Sequence, residues 1–425
     1  MPSKKSYRGL AQTEARLAFF MLIPAFTIVA LVILFPVIAN FWISFRRIGL
    51  GDLRVPTAVV REQVTQAPRR PGDELVLSYR TRNSSRDQSL SRVVITGFLS
   101  PGMIPHELPS GWEVRDNRLV GNFETWEPGK SIDFEFTFHV TDDFFDDSVD
   151  QRQPTRPSVR SSAPNPLFQS QATLENFRMV ITAREFLQNM IVSIVYPLFG
   201  AMGSIILGIL SAQLLHRKFK GQGFLRGLFL FPYVAPVIAV AFAWVFFLDP
   251  FSGTVNVYAM TAGIIDEPIS FLSARNAQIS LFGVQLSIPL ALTMVILFDA
   301  WRYFPFAFLF VLARFQAIPD TIYESADVDG AGPFRKFFSI TLPQLRSVIS
   351  TLFLLRFMWT FNKFDDIFLL TGGSAGTRTL PILVYDNAFA RADIGAGAAA
   401  AVILFAMLAV LMLIYFRLVK ETDDE

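Results

Sequence analysis

The chain has 425 residues; 52% are hydrophobic, 17% are charged and 44 are Phe. This balance is too apolar for one soluble domain and too polar for a bare helix bundle, so it implies a polytopic membrane protein with an aqueous part. The net charge of +2, with no basic run, excludes a nucleic-acid surface. The absence of cysteine excludes thiolate catalysis, disulfides and Cys-ligated metals. His106, His139 and His216 are scattered along the chain and read as surface residues rather than as a metal site.

Residues 1–16 carry Lys4, Lys5, Arg8 and Arg16 and precede an apolar run over 17–44. A membrane helix needs about 20 mostly apolar residues. This run is too long for a signal peptide and no small-x-small cleavage site follows, so it reads as an uncleaved anchor. Five further spans are expected, over 187–215, 224–248, 286–313, 347–370 and 395–417. The loop 216–226 carries Arg217, Lys218, Lys220 and Arg226; the loop 314–346 carries Arg314, Arg335, Lys336 and Arg346. The loops 249–285 and 371–394 hold only Arg275, Arg378 and Arg391. The positive-inside bias puts residues 1–16, the two cationic loops and the tail 419–425 in the cytoplasm. The segment 45–186 then falls outside, because long domains translocate largely regardless of charge.

Residues 55–141 alternate with period two. Ile132, Phe134, Phe136, Phe138 and Val140 interleave with Asp133, Glu135, Thr137 and His139, and Leu75, Leu77 and Tyr79 form a similar row. Such rows are half-buried antiparallel strands. Turn signals stand between them at Pro71-Gly72-Asp73, Asn83-Ser84-Ser85, Pro101-Gly102, Asp116-Asn117 and Pro128-Gly129. The expected fold of this insert is an all-β sandwich. Residues 142–172, rich in Asp and then in Ser, Pro, Arg and Gln, read as a solvated linker.

A polar, glycine-broken island interrupts the apolar helices at 319–343. Asp320 can cap a helix that runs to about Asp327. Gly330 and Gly332 permit a turn, and Pro333 suits the start of a second short helix. That helix would put Phe334, Phe337 and Phe338 on one face, and Pro343 would end it. By itself this bracket could be an interfacial hairpin that only joins two spans. The full spacing Tyr323-Glu324-Ser325-Ala326-Asp327-Val328-Asp329-Gly330-Ala331, then Phe334 and Ile340-Thr341-Leu342-Pro343, resembles the coupling loop of ABC importer permeases. Ser325 stands where that family has the middle alanine.

The resemblance extends over 174–418 and the first span. Gly221-x-Gly223-x-x-Arg226, Pro232, Pro236, Trp244, Gly253 and Asn256 are similar to the permeases of carbohydrate importers, as are Trp301, Pro305-Phe306, Trp359-Thr360-Phe361-Asn362 and Leu370-Thr371-Gly372-Gly373. They are most similar to the maltose-type larger subunit. Ser374 replaces the usual proline after the two glycines. That subunit also carries an outer domain at the position of the β insert. The insert itself, from Pro71-Gly72-Asp73-Glu74-Leu75 through Glu127-Pro128-Gly129, resembles immunoglobulin-like repeats of bacterial surface proteins. It could be a spacer or a docking surface.

The resemblance implies a six-helix permease core with an extracytoplasmic β insert. It implies that Glu324, Ser325, Ala326, Asp329, Gly330, Ala331 and Phe334 contact an ATPase subunit. It also implies sugar contact by Tyr303, Phe306, Arg356, Trp359, Thr360 and Lys363. Asp299, Arg302, Arg356, Lys363, Asp365 and Asp366 all lie in apolar stretches, where a charge costs roughly 2.5–3.5 kcal/mol to insert. They could line a cavity, or be structural, with the cations paired to Asp365 and Asp366. The chain has no phosphate loop, so ATP and Mg would be used by a separate ATPase dimer, and no cofactor is expected here. The other implied partners are a second permease, an extracytoplasmic binding protein, membrane lipid and a carbohydrate. A sugar phosphate or polyol is the alternative substrate. Other classes are a membrane-anchored receptor or adhesin with a β-domain ligand site, and an ion or proton transporter using Asp299.

Overall fold

Residues 4–85, 88–165, 167, 171–216, 219–281 and 284–423 are described by a computed structural model; within them 4–16, 279–281, 284–286 and 418–423 are described by backbone alone. Arg217 and Lys218, counted above for orientation, lie outside the described residues, as do 1–3 and 424–425 of the two expected cytoplasmic ends. The chain divides into a β unit (Arg46–Thr173 with Ala392–Ile394) and a helical unit formed by the rest.

In the β unit, β1 (Ala58–Gln66), β2 (Glu74–Asn83), β7 (Ser131–Val140) and β4 (Met103–Glu107) form one antiparallel sheet in the order β1-β2-β7-β4. A second antiparallel sheet has the order β5-β6-β3-β8, from β5 (Trp112–Arg115), β6 (Arg118–Trp126), β3 (Leu90–Phe98) and β8 (Ser158–Ser162). Alternation along β7 turns Phe134, Phe136, Phe138 and Val140 inward, beside Leu75, Leu77 and Tyr79 of β2. They meet Leu90, Val93 and Ile95 of β3, Leu119 of β6, and Trp112 and Trp126. Trp112 packs edge-on to Tyr79 and Phe136 at 5.7 and 4.8 Å. Each large side chain removed from water here contributes roughly 1.5–3 kcal/mol. Asp116 and Asn117, both at positive φ, make the two-residue turn between β5 and β6 that matches strand twist.

The expected linker at 142–172 is corrected over 142–162; residues 166 and 168–170 of it lie outside the described residues. Phe144 and Val149 enter the core, and β8 pairs with β3 through Val159 opposite Ile95. Thr155 is fully buried; its backbone N–H and its hydroxyl donate to Glu62 Oε1 at 3.0 and 2.6 Å, and Arg156 N–H donates to Oε2 at 3.1 Å. The segment holds itself by isolated anchors rather than by an apolar row, so its composition conceals its order.

The helical unit contains, in order, α1 (Lys4–Val29), α2 (Phe35–Ser44), α3 (Glu175–Ile181), α4 (Phe186–Leu215), α5 (Gln222–Val234), α6 (Val237–Phe247) and α7 (Thr254–Thr261). The hairpin β9 (Ala277–Leu281) and β10 (Val284–Ile288) follows, then α8 (Leu290–Gln316), α9 (Asp320–Val328), α10 (Pro333–Lys336), α11 (Leu342–Phe361), α12 (Asp365–Thr371), α13 (Leu380–Tyr385) and α14 (Ile394–Asp423). Among the described residues five helical stretches are long and apolar enough to span a membrane: Leu17–Ser44, Phe186–Leu215, Leu290–Gln316, Pro333–Phe361 and Ile394–Arg417. The pair α5 and α6 makes a sixth if counted as one span.

Two expected spans differ in shape. The stretch 224–248 is not one rod: α5 and α6 meet at 91°. Pro236 disfavours helix in the residue before it, and Ala235 is extended. The stretch 347–370 breaks at Asn362, and α12 restarts at Asp365. At its other end the helix begins earlier. Pro343 sits in the first turn of α11, and a π turn over Phe337–Thr341 joins α10 to it. The widened turn accommodates the missing proline N–H.

Among the described residues the most extensive helix contact is between α4 and α8. Gly200, Ser204 and Gly208 follow one another at four-residue steps, and a Cβ on Gly208 would meet Ala307 Cβ at 2.7 Å and Phe308 N at 2.8 Å. Gly203 would meet Ala300 Cβ at 2.8 Å. Small residues let membrane helices approach backbone to backbone, where dispersion contacts replace a hydrophobic driving force. Gly208→Val therefore forces these helices apart and costs about 1–3 kcal/mol. The expected outcome is a lower thermal midpoint for the detergent-purified chain than that of Leu214→Val, an exposed control on the same helix.

Candidate functional site

Two regions carry the sequence-based site residues, and both lie in the helical unit. The first is the polar island. Its helix α9 starts at Asp320 with Pro319, not Asp320, in the cap position and no side-chain cap bond; Asp320 instead places its charge in the first turn, at the positive end of the helix dipole. The other end closes in a Schellman motif. Ala331 N–H donates to Ala326 O at 2.9 Å and Gly330 N–H to Asp327 O at 3.0 Å, with Gly330 at φ 71°. That left-handed position favours glycine. Lys336 of α10 pairs with Asp327 of α9, and Tyr323 and Thr341 share a hydroxyl hydrogen bond of 2.9 Å. These ties make the island a closed bracket.

Ala326 is buried inside the bracket, whereas Glu324, Ser325, Asp329, Gly330 and Phe334 are exposed and Ala331 is half-buried. Ser325 Oγ donates to Thr321 O at 2.9 Å, so the departure from alanine is absorbed by the helix's own backbone. The three phenylalanines do not share one fate. Phe337 packs on the core around Leu345, while Phe334 remains 81% exposed and Phe338 61%. With Val328, 89% exposed, Phe334 gives the bracket an apolar tip.

The second region is a charged cluster inside the bundle. Asp299 on α8 is fully buried. Its Oδ2 accepts from Arg356 Nη2 of α11 at 2.7 Å; its Oδ1 accepts from Tyr196 of α4 and from Thr360 of α11, each at 3.4 Å. Arg356 Nε also donates to Ser204 Oγ at 3.4 Å. A Cβ on Gly200 would lie 2.5 Å from Asp299 Oδ2, so only glycine leaves room for the carboxylate. Lys363 pairs with Asp366 at 2.9 Å. Arg302 donates to the carbonyls of Pro232 and Ala235, at 3.3 and 3.0 Å, which the α5–α6 bend frees from the helix ladder.

This geometry divides the expected sugar-contacting stripe. Arg356 and Thr360, at 2% and 1% exposure, are directed at Asp299 and do not line an open face. The partner of Arg356 is Asp299 rather than Asp365 or Asp366. Tyr303 lies between the charges and the aromatics: the Arg356 guanidinium sits 4.2 Å and the Lys363 ammonium 3.7 Å from its ring centre. Phe306 packs against Trp359 at 5.3 Å and Tyr233 at 6.2 Å, and Tyr233 lies 6.0 Å from Tyr303. Trp359 is 50% and Tyr233 41% exposed. The result is an aromatic face of Tyr233, Tyr303, Phe306 and Trp359 backed by paired charges. Tyr233 escaped sequence reasoning; its place beside Pro232 and Pro236 was the available signal. Another feature missed was a cavity of about 350 Å³ lined by Glu185, Gln188, Asn189, Arg275, Ser374 and Arg378 among others. Ser374 N–H donates to Thr371 O at 3.0 Å there, a bond that proline could not make.

Residues 204–423, which carry the polar island and all of the charged cluster but Tyr196 and Gly200, match the family described as binding-protein-dependent transport system inner membrane component. The chain belongs to this family. Among curated permeases it is similar to the trehalose/maltose transport system permease protein MalF of Thermococcus litoralis, 32% identical over 59% of this chain and 80% of that one. It is 28% identical to the inner membrane ABC transporter permease protein YcjO of Escherichia coli, over 70% of this chain and 88% of that one. The sn-glycerol-3-phosphate transport system permease protein UgpA of Agrobacterium fabrum is 31% identical over 58% of this chain and 80% of its own length. A chain of a bacterial ABC transporter for the acidic polysaccharide alginate shares the fold, with a TM-score of 0.52 at 20% identity over 60% of this chain and 85% of that one. The permease match begins within α4, after residues 46–173 of the β unit.

Removing one member of a buried ion pair strands the other and costs about 3–5 kcal/mol, whereas removing both costs less. Arg356→Met should therefore destabilise the permease more than Asp299→Asn combined with Arg356→Met. Denaturation midpoints of the two variants in one detergent measure the difference.

Proposed function

We propose that this chain is the membrane-spanning, non-catalytic subunit of an ATP-driven importer that moves a neutral carbohydrate delivered by an external binding protein. The observation that carries the reading is the closed bracket with an exposed apolar tip between two spans of a binding-protein-dependent permease. Its exposed residues, Glu324, Ser325, Asp329, Gly330 and Phe334, dock on an ATPase subunit in the cytoplasm, and Ala326 and Ala331 keep the bracket narrow. The ATPase dimer binds ATP and Mg and closes on the bracket. A second permease completes the pathway. Both termini are cytoplasmic, and the β unit stands outside as an immunoglobulin-like domain.

Aromatic rings supply flat apolar faces to sugar rings. The face of Tyr233, Tyr303, Phe306 and Trp359 suits such a ligand, with Lys363 at its edge. Arg356 and Lys363 are already matched by Asp299 and Asp366, which favours a neutral sugar over a sugar phosphate. The similarity to a glycerol-3-phosphate permease keeps a polyol phosphate as the second reading.

Two experiments test this reading. Glu324→Lys with Gly330→Asp places a wrong charge and a strained backbone on the bracket. The expected result is loss of substrate-stimulated ATP hydrolysis in the reconstituted complex; a fully coupled variant complex would sink the docking role. Trp359→Ala should raise the KM for sugar uptake about ten-fold while complex assembly stays normal. Uptake of labelled disaccharide and of glycerol phosphate by proteoliposomes, with the matching binding protein, separates the two substrate classes.

A further inference from the structure

Two of the three histidines, far apart in sequence, meet on the β unit. His106 and His139 have ring centres 4.5 Å apart, inclined at 47°. Glu74 joins them, and one candidate ligand atom from each residue lies within 4.8 Å of the other two. The sheet order β2-β7-β4 explains the meeting. Glu74 of β2 stands directly opposite His139 of β7. Leu75, Phe138 and Val140 point into the core, so Glu74 and His139 share the outward face. On β4 the register shifts between Pro105 and Glu107. His106 is the extra residue of this bulge, and bulges re-aim side chains.

We propose that Glu74, His106 and His139 form a binding site for a divalent transition-metal ion, with Zn²⁺ as the natural occupant. Two imidazoles and one carboxylate suit zinc and its neighbours, whereas calcium and magnesium prefer all-oxygen shells. Zinc bonds of about 2.0–2.2 Å require the ligand atoms to close from the present separations to about 3.3 Å. Rotation about the side-chain torsions supplies this movement. Among the described residues no ion pair draws these side chains elsewhere, and all three are exposed or half-buried. Three protein ligands leave a fourth position for water or a group from outside. The ion would tie together three neighbouring strands. The strand that gains most is β4, a five-residue edge strand containing a proline and a bulge.

The test uses the full chain in detergent, purified with a tag that contains no histidine and stripped with a chelator. Titration with ZnCl₂ should saturate at one ion per chain, and CoCl₂ should give the visible absorption of a tetrahedral site. His106→Gln and His139→Gln should each weaken zinc binding at least ten-fold and abolish the cobalt bands. His216→Gln, at the one other histidine, should change neither. Zinc should raise the thermal midpoint of the unaltered chain but not of the His106→Gln chain. Glu74→Gln, at an exposed position, repeats the test where a histidine variant misfolds. Absence of saturable zinc binding, or binding that survives these substitutions, would overturn the site.

Discussion

The helical unit depends on burying Asp299. An ionised carboxylate among apolar helices is tolerable only with a counter-charge and hydrogen bonds in good geometry. Two helices converge on α8 to provide them. Tyr196 comes from α4, Arg356 and Thr360 come from α11, and Ser204 of α4 steadies Arg356. The glycine row on α4 is the steric counterpart of this arrangement. Gly200 leaves space for the carboxylate itself, and Gly208 brings the α8 backbone near enough for the bonds to form. Sliding either helix by one turn, about 5.4 Å, would separate every pair. A polar contact thus fixes a register that apolar packing alone would leave loose.

That register reaches the bracket and the aromatic face. The chain leaves α8 for α9 after a short turn, and it leaves α10 for α11 through a continuous π turn. The bracket is therefore an extension of the same two helices that hold Asp299 and Arg356. Phe337 and the bond between Tyr323 and Thr341 fasten it to their ends. A force on the exposed tip of Val328 and Phe334 is delivered to α8 and α11. Those helices also carry Tyr303, Phe306 and Trp359. In the proposed importer this is a direct mechanical route between ATPase and sugar. It needs no long-range wire beyond two rigid helices and one buried ion pair.

Much of this was legible along the chain. The island's spacing of Glu324, Gly330 and Phe334 carried the family resemblance, and Gly330 stands where a left-handed residue closes α9. The alternating rows around Leu75 and Phe136 gave the inward faces of β2 and β7. Other features were hidden for identifiable reasons. Residues 142–162 hold their order with single anchors such as Phe144 and Thr155, and hydrophobic periodicity marks rows, not points. The bend at Pro236 interrupts a stretch whose hydrophobicity is continuous. The burial of Arg356 and Thr360 against Asp299 was equally hidden. Spacing gives a helix face but not the depth at which a neighbouring helix covers it.

By itself the sequence determined the class of protein, the approximate number of apolar spans and the place of the polar bracket between two of them. These follow from local properties: run length, charge and the backbone demands of glycine and proline. Tertiary structure decided which charges meet. Asp299 and Arg356 are 57 positions apart, and only the close approach of α4, α8 and α11 makes them a pair. The same holds in the β unit, where strand order and one bulge bring Glu74, His106 and His139 together. Pairing between distant residues is set by register and packing, and neither is written in any local stretch of the chain.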